Sequence, residues 1–191
     1  MCERLTLPVL LLALSLPLCA QWPGENLVGV QGRANIPAGD LPDAVASEAP
    51  GLGASVQAEL HLAPYRLERN QCRICARVGL GADVWRKPGG SSGRSVTAFH
   101  AGADVLYFLR DDGREWLNGP YLIGGLQAME WVVGTAASDT GSLERTFRAG
   151  YAGGFGERLN PHLDAEFKIL VSEVDPALKV GVVTVALDCW F

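Results

Sequence analysis

Residues 54–62, Ala54-Ser55-Val56-Gln57-Ala58-Glu59-Leu60-His61-Leu62, alternate without interruption between apolar and polar side chains. Successive side chains of an extended strand point to opposite faces, so this stretch carries one wholly apolar and one wholly polar face. A helix, with its 3.6-residue period, would mix the two sets around its axis. The pattern returns at 161–172, where Leu163, Ala165, Phe167, Ile169 and Val171 interleave with His162, Asp164, Glu166, Lys168 and Ser172, with Leu170 interrupting the polar side. It returns again at the C-terminus, where Val183, Val185, Leu187, Cys189 and Phe191 oppose Thr184, Ala186, Asp188 and Trp190.

Working outward from these stretches, eight such segments stand between turn signals, at about 26–36, 51–63, 74–86, 95–109, 119–133, 143–156, 161–172 and 177–191. The connections carry turn chemistry: Pro37-Ala38-Gly39-Asp40, Lys87-Pro88-Gly89-Gly90, Asp111-Asp112-Gly113, Ser138-Asp139-Thr140-Gly141, Arg158-Leu159-Asn160-Pro161 and Asp175-Pro176. No helical stripe and no second long apolar run follows residue 20. The segments are longer than the roughly 5–6 residues of an average strand and reach the roughly 9–11 that cross a bilayer at a tilt. An even number of long, two-faced strands predicts an all-β fold, an eight-stranded antiparallel up-and-down transmembrane β-barrel.

The alternative is a soluble barrel with its apolar face inward, and the polar face argues against it. Arg33, Glu59, His61, Arg77, Asp83, His100, Asp104, Arg148, Asp164, Glu166 and Lys168 all fall on that face, with mixed sign. Inside a narrow lumen they neutralise one another, whereas a basic side chain facing mid-bilayer lipid costs about 2–4 kcal/mol. They are therefore expected to form a polar lumen network that plugs the barrel, since eight strands leave room for little besides side chains. Aromatic residues are expected in girdles at the two interfaces: Trp85 and Trp131 near one set of strand ends, and Tyr107, Tyr121, Phe155, Trp190 and Phe191 near the other, with Phe99, Phe147, Tyr151 and Phe167 deeper. The fifth segment is ambiguous, because one face puts Gln127 toward lipid and the other puts Glu130 there.

The 191-residue chain carries a formal net charge of −5 and has no clustered Lys or Arg, so a nucleic-acid partner is not expected. Arg4 followed by a largely apolar run from Leu5 to Leu18 and then Cys19-Ala20 reads as a signal peptide over 1–20, cleaved after Ala20, leaving 21–191 as one barrel domain. The run is too short for a spanning anchor, and Leu18 stands where a small residue precedes a lipidated cysteine. Export places Cys72 and Cys75 in an oxidising compartment, where a disulfide between them competes with two unpaired thiols and with redox or metal chemistry. The histidines His61, His100 and His162 sit at different depths of the inward face, so neither metal nor cofactor is expected.

The runs Gly51-Leu52-Gly53-Ala54, Val78-Gly79-Leu80-Gly81-Ala82-Asp83, Gly119-Pro120-Tyr121-Leu122-Ile123-Gly124-Gly125-Leu126 and Gly150-Tyr151-Ala152-Gly153-Gly154-Phe155-Gly156 resemble the outer-membrane β-barrel domain family, which holds the opacity-type surface proteins and the membrane domain of OmpA. That resemblance implies both termini in the periplasm, loops near 37–50, 87–94, 134–142 and 173–176 outside, and outer-membrane lipid and lipopolysaccharide as surroundings. The terminal strand, with Gly181, Val185, Leu187 and the aromatic Phe191, is similar to the signal read by the barrel-assembly machinery. A monomer with a structural or surface-interaction role is expected. A narrow small-solute pore and a lipid-modifying outer-membrane enzyme are the alternatives, the latter disfavoured because no histidine neighbours a serine along a strand.

Overall fold

Every segment read from the alternation is a strand. The computed structural model describes residues 27–39, 50–61, 74–86, 95–109, 119–134, 143–175 and 178–191; for Leu27, His61, Gly134 and residues 143–144, 173–175 and 178–180 it describes the backbone alone. The strands are β1 (Leu27–Gly39), β2 (Gly51–His61), β3 (Ile74–Arg86), β4 (Ser95–Phe108), β5 (Gly119–Gly134), β6 (Leu143–Asn160), β7 (Leu163–Asp175) and β8 (Leu178–Trp190). Each pairs antiparallel with its chain neighbours, and β8 closes on β1, so the sheet has no free edge. The expected signal peptide over 1–20, Cys72 and most of the expected turns lie outside the described residues.

Strand ends differ from the sequence reading in three places: β7 runs on to Asp175, through most of the expected 173–176 loop, still paired with β8, and two others change the turns. Pro37, Ala38 and Gly39 continue β1 rather than turning: among the described residues they pair with Val182, Gly181 and Val180 of β8, past the end of the β1·β2 ladder at Asn35 and Gly51. Proline, which has no N–H to donate, is tolerated where one side of the strand is unpaired. Gly39 then ends the strand with φ of 62°, a conformation glycine adopts without a Cβ penalty. At the other boundary β6 runs through Arg158 to Asn160 with a register shift, and the turn is the short Pro161-His162 link, where His162 N–H donates to Asn160 Oδ1 at 2.8 Å.

The two faces divide as the alternation demands. Val28, Val30, Leu52, Val56, Leu80, Val105, Leu122, Leu126, Ile169, Val185 and Leu187 are exposed on the outer wall, while Gln31, Glu59, Arg77, Asp104, Asp164, Glu166 and Asp188 are buried inside. An exposed apolar band around a buried charged interior inverts the soluble arrangement and is stable only against lipid. On β5 the ambiguity resolves with Tyr121, Ile123, Gln127 and Met129 on the inward side and Glu130 on the outer wall, within 3.5 Å of Arg145.

The girdle reading needs correction. Trp85, Trp131, Tyr121 and Trp190 are not at the lipid interfaces but buried inside the barrel, whereas Phe99, Tyr107, Phe147, Tyr151, Phe155 and Phe191 are on the outside. Register supplies the reason, because an inward ring needs a bare partner across the sheet. Trp85 lies over Gly51, Tyr121 over its cross-strand partner Gly156 and Trp190 over its partner Gly29, and in each pair a Cβ on the glycine would meet the ring at 2.5 Å. Large and small residues thus alternate around the narrow interior.

Candidate functional site

The interior is organised in three layers between the end where β1 begins and β8 finishes, called the terminus end, and the far end. Toward the far end, Trp85, Val96, Ala98, Met129, Trp131, Ala152, Leu170 and Val182 form one buried apolar cluster, with Trp85 and Trp131 stacked at 5.8 Å. Leu170, which breaks the polar face of β7 in sequence, belongs to this cluster. Toward the terminus end, Cys75, Leu106, Phe108, Tyr121 and Ile123 form a second cluster, with the Phe108 and Tyr121 rings at 4.9 Å. Between them lies a layer of ionised and hydrogen-bonding side chains.

Arg158 organises the lower part of that layer. Its Nη1 and Nη2 donate to the two carboxylate oxygens of Glu59 at 2.9 and 2.6 Å, and its Nε and Nη2 donate to Asp164 at 2.9 Å each. Two fork-like contacts from one planar guanidinium are the strongest form of such pairing. Its far side rests 5.1 Å from the Phe108 ring and 5.8 Å from that of Trp190. Tyr121 Oη donates its one proton to Glu166 Oε1 at 2.8 Å and lies 3.3 Å from Asp164 Oδ2. Arg77 in turn donates to Glu166 Oε1 at 2.5 Å and to Asp104 Oδ2 at 3.1 Å. Lys168 lies 3.1 Å from Glu166 and 3.5 Å from Asp104.

The upper part turns on Arg33, whose Nε donates to Asp83 Oδ1 at 2.6 Å and whose Nη1 donates to Gln31 Oε1 at 3.0 Å. Arg33 also contacts the His100 ring, and His100 Nε2 lies 3.6 Å from Asp83 Oδ2. Asn35 donates to Asp83 at 2.6 Å and accepts from Thr184 Oγ1 at 2.8 Å. Gln31 joins the two halves, because its amide donates to Glu166 Oε2 at 3.1 Å. One connected network therefore runs from Glu59 to Thr184 and takes a member from every strand of the barrel.

Of the residues expected in this network, Arg33, Glu59, Arg77, Asp83, His100, Asp104, Asp164, Glu166 and Lys168 are brought together. Arg148 is not: it stands on the inward side of β6 but near the far mouth, where Nη1 donates to the Phe147 carbonyl at 3.1 Å. Register sets it across from Met129, at the level of the apolar cap, and so away from the carboxylates. The His61 side chain lies outside the described part, and His162 is a rim residue whose Nδ1 is 3.1 Å from the Trp190 carbonyl. Cys75 is buried inside at the terminus end, and its pairing with Cys72 lies outside the described residues. The outward face of β8 carries Val185, Leu187 and Phe191 exposed, and Phe191 N–H donates to Val28 O at 2.8 Å.

The sequence reading misses Arg158, Tyr121, Gln31, Asn35 and Thr184. Arg158 was hidden by its turn-like neighbours Asn160 and Pro161, and Tyr121 by the expectation of an interface. The uncharged members could have been found by carrying the alternation through β1 and β8, since Gln31, Arg33 and Asn35 share one face.

No protein-family profile matches the chain, and no characterised protein matches it in sequence. Solved structures do match. Ail, the attachment invasion locus protein of Yersinia pestis, superposes with a TM-score of 0.59 at 11% identity, covering 89% of this chain and 100% of that one. Neisserial surface protein A gives 0.55 at 12% identity over 87% of this chain and 97% of its own. The N-terminal β-barrel domain of Pseudomonas aeruginosa OprF gives 0.55 at 12% identity over 88% and 99%. At such identities the likeness is one of fold, and in fold this chain is an eight-stranded outer-membrane-type β-barrel, as its resemblance to the opacity-type and OmpA-like barrels implied.

Proposed function

We propose that the protein is exported and resides in the outer membrane of a double-membraned bacterium, as a barrel with a closed lumen and a structural or surface-interaction role. One observation carries this reading: the ion-paired layer joining Arg158, Glu59, Asp164, Glu166, Arg77 and Asp104 lies between two apolar clusters, so a hydrated ion would have to displace both. Buried pairs of this kind are held tightly once formed, because removing either partner leaves a charge stranded in low dielectric.

Both termini face the periplasm in this reading, and the β8 strand with Gly181, Val185, Leu187 and Phe191 is what the assembly machinery grips. Lipid and lipopolysaccharide contact the Val, Leu and Phe wall. The role is not catalytic: Ser55 and Thr184 are bonded to Gln31 and Asn35, Ser172 to the Ala149 carbonyl, and His100 contacts Arg33, arrangements that support scaffolding rather than nucleophile activation.

The test is single-channel recording of the refolded protein in planar bilayers, with fractionation of outer membranes alongside. A closed barrel gives no unit conductance. Steady unit conductance of the wild type would replace this reading with the narrow-pore one, and recovery in the soluble periplasmic fraction would end both.

A further inference from the structure

Among the described side chains, one place on the lipid-facing wall brings opposite charges to contact distance. Arg145 Nη1 on β6 donates to Glu130 Oε1 on β5 at 3.5 Å. That is the outer limit of a hydrogen bond, and it engages one nitrogen of the guanidinium and one oxygen of the carboxylate. With 39% of the Glu130 side chain and 57% of the Arg145 side chain exposed, their remaining acceptor and donor capacity opens onto whatever covers the wall.

Register orders the surroundings by depth. Arg145 stands across from Val132, two residues nearer the far end of β5 than Glu130, a step of roughly 6–7 Å along the strand. Glu130 stands between two phenylalanines, its cross-strand partners Phe99 on β4 and Phe147 on β6, which are 50% and 68% exposed. The next outward row toward the terminus end is Ala101, Ala128 and Ala149, small side chains that leave an acyl chain room beside the two rings. From the far end inward, the wall thus offers a cation, then an acceptor, then apolar surface.

A lipid that matches this order carries phosphate uppermost, hydrogen-bond donors just beneath it, and hydrocarbon below. A glycerophospholipid fails at the middle level, because the ester groups beneath its phosphate only accept and bring nothing to a carboxylate. An acylated amino-sugar phosphate has amide N–H and acyl-chain hydroxyl groups there. We propose that Arg145, Glu130, Phe99 and Phe147 form a binding site for a phosphorylated amino-sugar lipid, the chemistry of the lipopolysaccharide anchor, with phosphate on Arg145 and an amide or hydroxyl donor on Glu130. This rests on the reading of the wall as lipid-facing and deepens it by naming one lipid and its place.

The experiment uses the full chain refolded into phosphatidylcholine nanodiscs with ¹⁵N-labelled arginine, the Arg145 side-chain signal being assigned with Arg145→Gln. Discs are doped with a diphosphorylated, amide-acylated glucosamine disaccharide lipid or with cardiolipin, which matches its two phosphates but has only ester-linked chains. The expected result is a saturable shift of the Arg145 Nε–H that the amino-sugar lipid produces at about one-tenth of the mole fraction or less, the factor that a hydrogen bond to a charged group supplies. In Glu130→Leu this advantage is lost while heat-modifiable gel migration stays that of the folded barrel, and Glu130→Gln, which keeps an acceptor oxygen, retains part of it. Equal responses to the two lipids in the wild type overturn the proposal, as does an advantage that Glu130→Leu leaves intact. Should Glu130→Leu not fold, the charge-matched comparison in the wild type decides. Failure of the wild type to enter the discs would instead overturn the lipid-facing wall, and the site with it; the bilayer recordings that test closure bear on neither.

Discussion

Arg158 shows how much one side chain can organise here. It is buried, it donates four hydrogen bonds to Glu59 and Asp164, and its guanidinium carbon lies 5.1 Å from the Phe108 ring and 5.8 Å from that of Trp190. Replacing it with methionine keeps an unbranched apolar stem but leaves two carboxylates without their guanidinium in a low-dielectric interior. Arg158→Met is expected to cost about 3–5 kcal/mol, read from urea unfolding of tryptophan fluorescence in lipid vesicles. The triple change Glu59→Gln, Arg158→Met, Asp164→Asn removes the charges together and should recover much of that loss; a triple variant no better than the single one would mean that packing, not charge, sets the penalty. The ring-over-glycine pairs make a second residue-level prediction. Gly156→Val would push its new carbons into the Tyr121 ring, and overpacking of this kind costs about 1–3 kcal/mol in the same measurement.

At the level of the strand, the face decides what a substitution does. Val56 is on the outer wall of β2, with Ala58 and Leu60 beside it along the strand, while Gln57 between them is buried inside. Val56→Arg is expected to destabilise by about 2–4 kcal/mol if that wall meets the middle of the bilayer. An unchanged midpoint in vesicles would place the strand outside the hydrocarbon. Glu130 and Arg145 are the counter-example, a charged pair on the outer wall of the long β5 and β6 strands. Their side chains are 39% and 57% exposed and 3.5 Å apart near the far end, where solvent and headgroups screen them. Glu130→Gln should therefore change stability by no more than about 1 kcal/mol, and a larger loss would place the pair deeper in the lipid.

For the whole molecule, the proposed closure is one shared between two apolar caps and the charged layer between them. Removing the Trp85 and Trp131 stack with Trp85→Ala and Trp131→Ala opens the far cap alone. Arg77, Glu166, Asp104 and Lys168 still bridge the interior beneath it, so the double variant is expected to show no unit conductance in planar bilayers. Ion flow through it would assign closure to the indole cap instead. Because every strand edge is paired in the closed ring, the barrel should also resist detergent at room temperature and migrate differently on gels after boiling. Identical migration before and after heating would contradict a closed barrel in the preparation.

What the sequence determined is what the pleat determines. The two-residue period, unbroken over 54–62 and nearly so over 163–171 and 183–191, sorts side chains onto two faces whatever the partners, so strand number, the apolar wall and the inward charges Arg33, Glu59, Arg77, Asp104 and Glu166 were all legible in the chain. Which groups meet is a property of register and closure. These bring Gln31 of β1 to Glu166 of β7, and Arg158 of β6 to Glu59 of β2, separations along the chain that no local pattern encodes. The aromatic residues show the same division. Period alone makes Trp85 and Tyr121 candidates for either side of the wall, and only the arrival of Gly51 and Gly156 beneath them on neighbouring strands gives their rings room inside. Periodicity is written in each strand's own backbone, whereas contact across a barrel exists only once its strands have closed.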